Sequence, residues 1–239
     1  MSHNIESSPS NGEIIRNSWD KNVLTRSEDL EQGIDFSYLN YISPWVFSHV
    51  LENSDTSSVI LDIGCGCGYL TNAVYMGGRH NIRGIDISSR SIEYAQSKYP
   101  NISFECNDIN DLPRLQNYDI CLAVMLLNNM EDIEHFFPTV HDLLKPGGKL
   151  LLVLPHPWFW PSRHLNSADF SYKDEIPYTF QFATKNKRNY PAQTLYFHRT
   201  IGTYINCILG AGFQITSIQE ISELPFSDDP DILGLELTK

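Results

Sequence analysis

The chain has 239 residues, a formal net charge of −12 and 41% hydrophobic residues. That length accommodates one well-cored α/β domain with a cap and excludes two large domains. The acidic balance argues against a non-specific nucleic-acid surface. No apolar run approaches the roughly 20 residues of a membrane span, and the first residues carry no charged-then-apolar leader, so no membrane role is expected. The cysteines are Cys65, Cys67, Cys106, Cys121 and Cys207, an odd number. They read as free thiols of a reducing cytoplasm. Cys106, Cys121 and Cys207 lie in apolar segments and are expected to be buried small hydrophobes. Cys65-Gly66-Cys67 has no second ligand pair at useful spacing, so no metal site is expected.

In chain order, residues 1–12 are polar, rich in Ser and Asn, and read as a disordered tail. Residues 13–54 precede the first strand. There Leu39, Ile42, Val46 and Val50 recur near helical spacing, and Pro44 either starts a helix or kinks one. Val59-Ile-Leu-Asp-Ile63 is a short apolar run that ends in Gly64, Gly66 and Gly68 at alternate positions. It predicts a buried strand and a sharp turn whose backbone can approach a ligand closely. A helix can begin at Tyr69, which completes a nucleotide-type site at the carboxyl end of a sheet. Residues 81–88 read as a second strand tipped by Asp86, whose carboxylate can accept both hydroxyls of a ribose. Ser88 or Ser89 is the better N-cap for the helix that follows. Residues 102–109 read as a third strand ending in Asn107-Asp108-Ile109; alone, Asp108 fits a plain turn equally well. Residues 118–125 form an apolar fourth strand, as a parallel strand buried on both faces requires. Leu144-Lys-Pro-Gly-Gly-Lys reads as a helix end with Gly147 at C′ and Pro146 as the stop, followed by a fifth strand through residue 154. A helix over 199–212, a sixth strand over 213–221 and a seventh over 231–238 complete the pattern.

The ligand class follows from what the glycine turn lacks. A dinucleotide fingerprint needs Gly or Ala where Tyr69 stands, and Asp62 at the turn entry would repel a diphosphate. The D-x-G-x-G-x-G loop from Asp62 to Gly68, the acids Asp86 and Asp108, and the Leu-Lys-Pro-Gly-Gly turn together resemble the class I S-adenosylmethionine-dependent methyltransferases. The resemblance is close over about residues 55 to 155 and holds in outline elsewhere. It implies a Rossmann-like α/β fold: a seven-stranded sheet with helices on both faces and the last strand antiparallel between strands five and six. It implies S-adenosylmethionine as cofactor and S-adenosylhomocysteine as product. Asp62, Gly64, Cys65, Gly66 and Gly68 would then lie against the methionine part, which is cationic. Asp86 with Ile87 would hold the ribose, Asp108 with Ile109 the adenine, and Val124 and Met125 would close the site at the end of strand four. Asn17-Ser-Trp-Asp-Lys-Asn22 resembles the short aromatic segment that closes over the cofactor, although Trp19 fits a packing anchor equally well. The expected organisation is a tail at 1–12 and one domain at 13–239. Within the domain, 13–54 form an N-terminal helical lid, 55–155 the cofactor half, 156–198 a substrate cap inserted after strand five, and 199–239 the last helix and two strands.

The cap segment is unusually long and aromatic, and it carries five basic against three acidic residues. Placed after strand five it would overhang the carboxyl edge of the sheet, which makes it the expected acceptor-binding element. Methyl transfer needs alignment and exclusion of water, and a base only if the nucleophile must lose a proton. His156, directly after strand five, is the candidate catalytic base; the alternative is a histidine that holds the Pro155-x-Pro157 turn. His198 suits a structural or anchoring role, and nothing fixes the direction of His164. The chain has Leu126-Leu127-Asn128-Asn129 after strand four, not the Asn/Asp-Pro-Pro-Tyr of adenine-N6 or glutamine methylation. It also lacks paired glutamates for arginine methylation and a cytosine-C5 type cysteine. The expected acceptor is therefore an oxygen or nitrogen of a small metabolite, with no nucleic acid and no membrane partner. The oligomeric state is not legible. Two other classes stand beside this reading: an inactive cofactor-binding protein with a regulatory or partner-complex role, and a nicotinamide-dependent oxidoreductase, which Asp62 and Tyr69 oppose.

Overall fold

The computed structural model describes residues 8–165, 170–182, 190–222 and 229–239. Seven strands form one sheet in the order β3-β2-β1-β4-β5-β9-β8. These are β1 (Ile60–Ile63), β2 (Ile82–Asp86), β3 (Ser103–Cys106), β4 (Tyr118–Val124), β5 (Leu144–Pro155), β8 (Gln214–Ser222) and β9 (Pro230–Thr238). β1 to β5 pair in parallel, whereas β9 runs antiparallel to both β5 and β8. The expected insertion of the last strand between the fifth and sixth is therefore present. β4 is buried along nearly its whole length because both faces are covered. Leu61, Cys121, Leu150 and Leu152 pack towards α5 (Ile133–Leu143) and α7 (Ile201–Gly210). Ile60, Ile120, Leu122 and Leu151 pack towards α2 (Ser43–Asn53) and α3 (Tyr69–Met76). The third helix of that side, α4 (Ser89–Lys98), is capped by Ser88, whose Oγ accepts from Ser91 N.

The structure corrects the sequence at three places. First, α1 (Asn11–Glu31) begins inside the expected tail. Ser10 and Glu13 form a capping box there, which satisfies two otherwise orphaned N–H groups and starts the helix in a polar context. Residues 1–7 lie outside the described residues. Second, α5 stops at Leu143, so Gly147 is not its C′ residue. Leu144 already pairs with Tyr118, and the Lys145–Gly148 stretch bulges out before Lys149 rejoins opposite Ile120. Gly147 has φ 76° at the tip of that bulge, a conformation that suits glycine. Third, Cys106 is exposed and Cys207 half-buried; of the three thiols expected to be core, only Cys121 is. Pro44 starts α2, and the residues before it, Tyr38–Ile42, form a short π-helix.

The segment after β5 is partly regular. It contains α6 (Phe159–His164) and an antiparallel pair, β6 (Pro177–Phe180) with β7 (Thr194–Phe197). The parts of the expected cap at 166–169 and 183–189, which include Lys185, Lys187 and Arg188, lie outside the described residues. Among the described residues no helix is long and apolar enough to cross a membrane.

Candidate active site

The carboxyl ends of β1, β2 and β4 open into one cavity of about 880 Å³, large enough for a cofactor and a second small molecule together. The loop after β1 is stitched to β2: Gly64 N and Cys65 N both donate to Ile85 O, at 2.8 and 3.0 Å. Gly66 has φ 53°, and a Cβ added there would meet nothing within 4 Å. It would project into open space, so this glycine leaves room for a ligand rather than for neighbouring protein. Gly68 differs, since a Cβ there would come within 2.8 Å of Phe104 Cζ. Gly68 therefore serves close packing against β3 and does not line the cavity, whereas Gly64, Cys65 and Gly66 do.

At the tip of β2, Asp86 accepts from Gly66 N through Oδ2 at 2.9 Å and from Ser88 N through Oδ1 at 2.8 Å. Its carboxylate thus ties the glycine loop to the entry of α4 while lining the cavity. Burial holds its pKa above the usual range against the pull of those two N–H donors, and Asp20 adds to the rise. Asp62 is placed otherwise than expected. It is buried behind the loop, accepts from Thr71 Oγ1 at 2.6 Å, and does not line the cavity. Burial, with a contribution from Asp86, pushes its pKa up to about 7 against the Thr71 hydrogen bond. Its position makes it an anchor between β1 and α3. Asp108 caps a single 3₁₀ turn by accepting from Asn110 N at 2.9 Å, and both Asp108 and Ile109 line the cavity. Ile87, Val124 and Met125 line it too. Met125 has φ 55°, a left-handed conformation that non-glycine residues seldom adopt, directly after the end of β4.

The opposite wall comes from segments far apart in sequence. α1 contributes Ile15, Trp19, Val23 and Arg26. Asp20 on the same helix accepts from Ser88 Oγ at 2.7 Å and Arg90 N at 3.1 Å, which fastens α1 beside Asp86. Asn22 forms a two-way pair with the backbone of Ala192, at 3.0 and 2.9 Å, which fastens α1 to the segment after β5. Arg26 pairs with Asp35 and lies 4.7 Å from the centre of the Tyr38 ring and 5.5 Å from that of Phe182. Burial alone would lower the pKa of the guanidinium, but the charge and hydrogen bond of Asp35 together with Tyr190 and Tyr38 more than offset it and hold the pKa above its ordinary value. The roof is Trp160, Arg163 and His164 of α6, with Phe180, Gln181 and Phe182. Arg163 bridges to Asp229 and Asp231, both at 2.6 Å.

His156 does not reach the cavity. It is 2% exposed, its Nε2 lies 3.0 Å from Glu220 Oε1, and its Nδ1 accepts from Trp158 N and Phe159 N at 3.2 and 3.4 Å. Both ring nitrogens are engaged, which is the arrangement of a turn-holding histidine at the start of α6. The expectation of a base at this position is corrected accordingly. His198 also lies outside the main cavity, donating through Nε2 to Tyr172 O at 2.9 Å. Its neighbour Arg199 donates to the carbonyls of Leu127, Met130 and Glu131 and so holds the segment after β4. Asn128 and Asn129 of that segment line the cavity, and Asn128 Oδ1 has no hydrogen-bond partner among the described residues. Arg26, Asp35 and Asn128 were not legible as site residues, whereas Trp160 falls in the segment expected to be the acceptor cap. Trp160 lay in a conspicuously aromatic stretch; Arg26 and Asp35 carried no signal, because only the packing of α1 beside α4 and β7 brings them in.

Comparison with known proteins is consistent with this geometry. Residues 54–200 match the model of the family described as "Methyltransferase domain". A ubiquinone biosynthesis O-methyltransferase from Coxiella burnetii is 34% identical over 142 residues, 55% of this chain and 60% of that protein. A putative methyltransferase of Invertebrate iridescent virus 6 is 28% identical over 135 residues, 49% of this chain and 51% of that protein. The chain thus spans between about half and three-fifths of the length of these relatives. Among solved structures, the magnesium protoporphyrin IX methyltransferase of Synechocystis, crystallised with S-adenosylhomocysteine, has a TM-score of 0.69 at 16% identity and covers 96% of this chain and all of its own. The [4+2]-cyclase SpnF has a TM-score of 0.66, also at 16% identity, with 97% of each chain covered. Likenesses at such identity concern the fold, and the cyclase illustrates that one fold carries more than one chemistry. The family match over more than half the chain, the sheet order and the glycine loop facing an open cavity place this chain in the methyltransferase domain family, among the class I S-adenosylmethionine-dependent methyltransferases.

Proposed function

We propose that this protein transfers a methyl group from S-adenosylmethionine to an oxygen or nitrogen of a small-molecule metabolite. The observation that carries the proposal is the convergence of Gly66, Asp86, Asp108 and Met125 on a single cavity whose far wall is aromatic and belongs to other segments. The residues fit the cofactor: the space beside Gly66 is open, and a carboxylate stands at the tip of β2. In this reading Asp86 takes the ribose hydroxyls, Asp108 and Ile109 the adenine, and Gly64, Cys65 and Gly66 face the methionine part. Asp62 and Gly68 support that loop from behind. When bound, the cofactor supplies an electrophilic methyl on a sulfonium. The chain's own contribution is to align the acceptor with it and to keep water out, with α1 and the 156–198 cap as the walls. His156 acts by position: it holds the start of α6 and thereby Trp160 and Arg163. The domain layout of a lid at 13–54, a cofactor half at 55–155 and an acceptor cap at 156–198 belongs to the same proposal, as does a cytoplasmic location, which free thiols favour.

Isothermal titration of S-adenosylmethionine and NAD into the same preparation, followed by a labelled-methyl screen of metabolite extracts, tests the proposal. Binding of the methyl donor alone with label appearing in a small molecule is the expected result. Donor binding with no turnover on any extract would favour an inactive regulatory protein, and preferential binding of NAD would overturn the proposal.

A further inference from the structure

The cavity also specifies what kind of acceptor it takes. Four rings form an unbroken row across its far side: Trp19 to Phe182 at 6.1 Å, Phe182 to Phe180 at 6.3 Å and Phe180 to Trp160 at 5.5 Å between centroids. All four line the cavity. They come from α1, from β6 with the residues after it, and from α6, so the row is a product of the fold and not of one segment. Tyr196 and His164 stack on Trp160 at 4.8 and 4.7 Å, and Tyr190 backs Phe182 at 4.7 Å. Rings buttressed in this way form a stiff apolar wall suited to contact with a flat molecule.

The charges point in the opposite direction from the basic composition of the cap. Among the described lining residues there are two cations, Arg26 and Arg163, and six carboxylates, Asp35, Asp86, Asp108, Glu131, Asp132 and Asp231. Both cations are already neutralised, Arg26 by Asp35 and Arg163 by Asp229 and Asp231. An anion entering this space would find no unpaired cation among the described residues; with Asp86 and Asp108 turned to the cofactor and Asp35 and Asp231 paired, it would still face Glu131 and Asp132 across a poorly screened cavity. Neutral flat molecules carry no such penalty.

We infer that the acceptor is an uncharged, planar aromatic compound of two or more rings, and that the Trp19–Phe182–Phe180–Trp160 row selects it. This inference rests on the methyltransferase reading. The test uses the full chain loaded with S-adenosylhomocysteine and two fluorescent probes of one ring system, 2,3-dihydroxynaphthalene and its 6-sulfonate. S-adenosylhomocysteine binding is measured first by calorimetry; its absence removes the methyltransferase reading and this inference together. With S-adenosylhomocysteine bound, the neutral diol should bind about tenfold or more tightly than the sulfonate. Phe180→Leu should weaken the diol several-fold, as loss of ring contact does, with S-adenosylhomocysteine affinity unchanged as the control for folding. Asp132→Asn keeps a residue able to cap α5 and removes one carboxylate, so it should narrow the gap between the two probes. If S-adenosylhomocysteine binds but the sulfonate equals or exceeds the diol, or the diol does not bind, or neither variant changes the probes, this inference fails and the methyltransferase reading stands.

Discussion

The two walls of the cavity are built on different principles. The wall proposed for the cofactor consists of strand ends and backbone: Gly64 and Cys65 hydrogen-bond to Ile85, Gly66 to Asp86, and Met125 N donates to Val153 O at 2.7 Å. Such contacts depend on φ/ψ and on register, so few residue types can satisfy them. The opposite wall, proposed to face the acceptor, consists of side chains drawn from α1, α6 and β6, joined by ring contacts and ion pairs such as Arg26–Asp35 and Arg163–Asp231. Those interactions tolerate exchange as long as volume and charge balance persist. The comparison explains why one wall identifies a family and the other does not. It also predicts that substitutions in the first wall abolish binding, whereas substitutions in the second retune it.

Gly66→Val should have the largest effect. A Cβ added there meets nothing within 4 Å, so the valine side chain would fill the space proposed for the ligand, while the positive φ adds strain of about 1 kcal/mol or more. S-adenosylmethionine binding should disappear while circular dichroism and a cooperative melt persist. A variant that binds normally would break the assignment of this loop.

Asp62 sharpens the comparison by a pH effect confined to the cofactor wall. Its folded pKa of about 7 lies above the usual carboxylate value, so the folded state holds the proton more tightly than the unfolded state. Its contribution to stability is therefore greatest at low pH, declines as pH rises from about 4 to about 7, and stays low above that. Asp62→Asn retains an oxygen for Thr71 and should stabilise the protein at pH 8 relative to wild type by on the order of 2–4 kcal/mol, and by little at pH 4. Urea denaturation of both proteins at pH 4.5, 6 and 8 measures the difference; a gap that is constant with pH would show that Asp62 ionises freely.

The smallest effect should come from His156. His156→Gln removes the Nδ1 acceptor that serves Trp158 N and Phe159 N, which resembles the loss of a helix cap at roughly 1 kcal/mol. Turnover should fall only a few-fold, with an unchanged pH–rate profile. A loss of about 10²–10⁴-fold would instead mark a general base and reverse the placement argued here.

Much of the first wall was legible because its causes are local. Apolar runs marked β1, β2 and β4, the first of them ended by glycine, and Asp86 and Asp108 stood at or just past predictable strand tips. The sequence could not separate a glycine that faces ligand, Gly66, from one that faces Phe104, Gly68, because both occur in the same loop pattern. Nor could it show that Asp62 points away from the cavity. The start of α1 at Asn11 was hidden by a polar composition, although the Ser10–Glu13 capping box was there to be read. The second wall was largely illegible. Arg26 and Phe182 meet only because α1 packs beside α4 and β7, and His156 gains its partner Glu220 only through the pairing of β8 beside β9. The charge of the cap was legible only as a count: Arg163 is spent on Asp229 and Asp231, whereas Lys185, Lys187 and Arg188 lie outside the described residues.

The most direct test of the central claim is a calorimetric titration of S-adenosylmethionine into wild type and Asp86→Ala, both checked for an intact melt. Loss of a charge-assisted contact to the ribose hydroxyls should weaken binding by roughly 1.5–3 kcal/mol, about tenfold or more. Equal affinities in the two proteins would contradict the placement of the cofactor at the tip of β2.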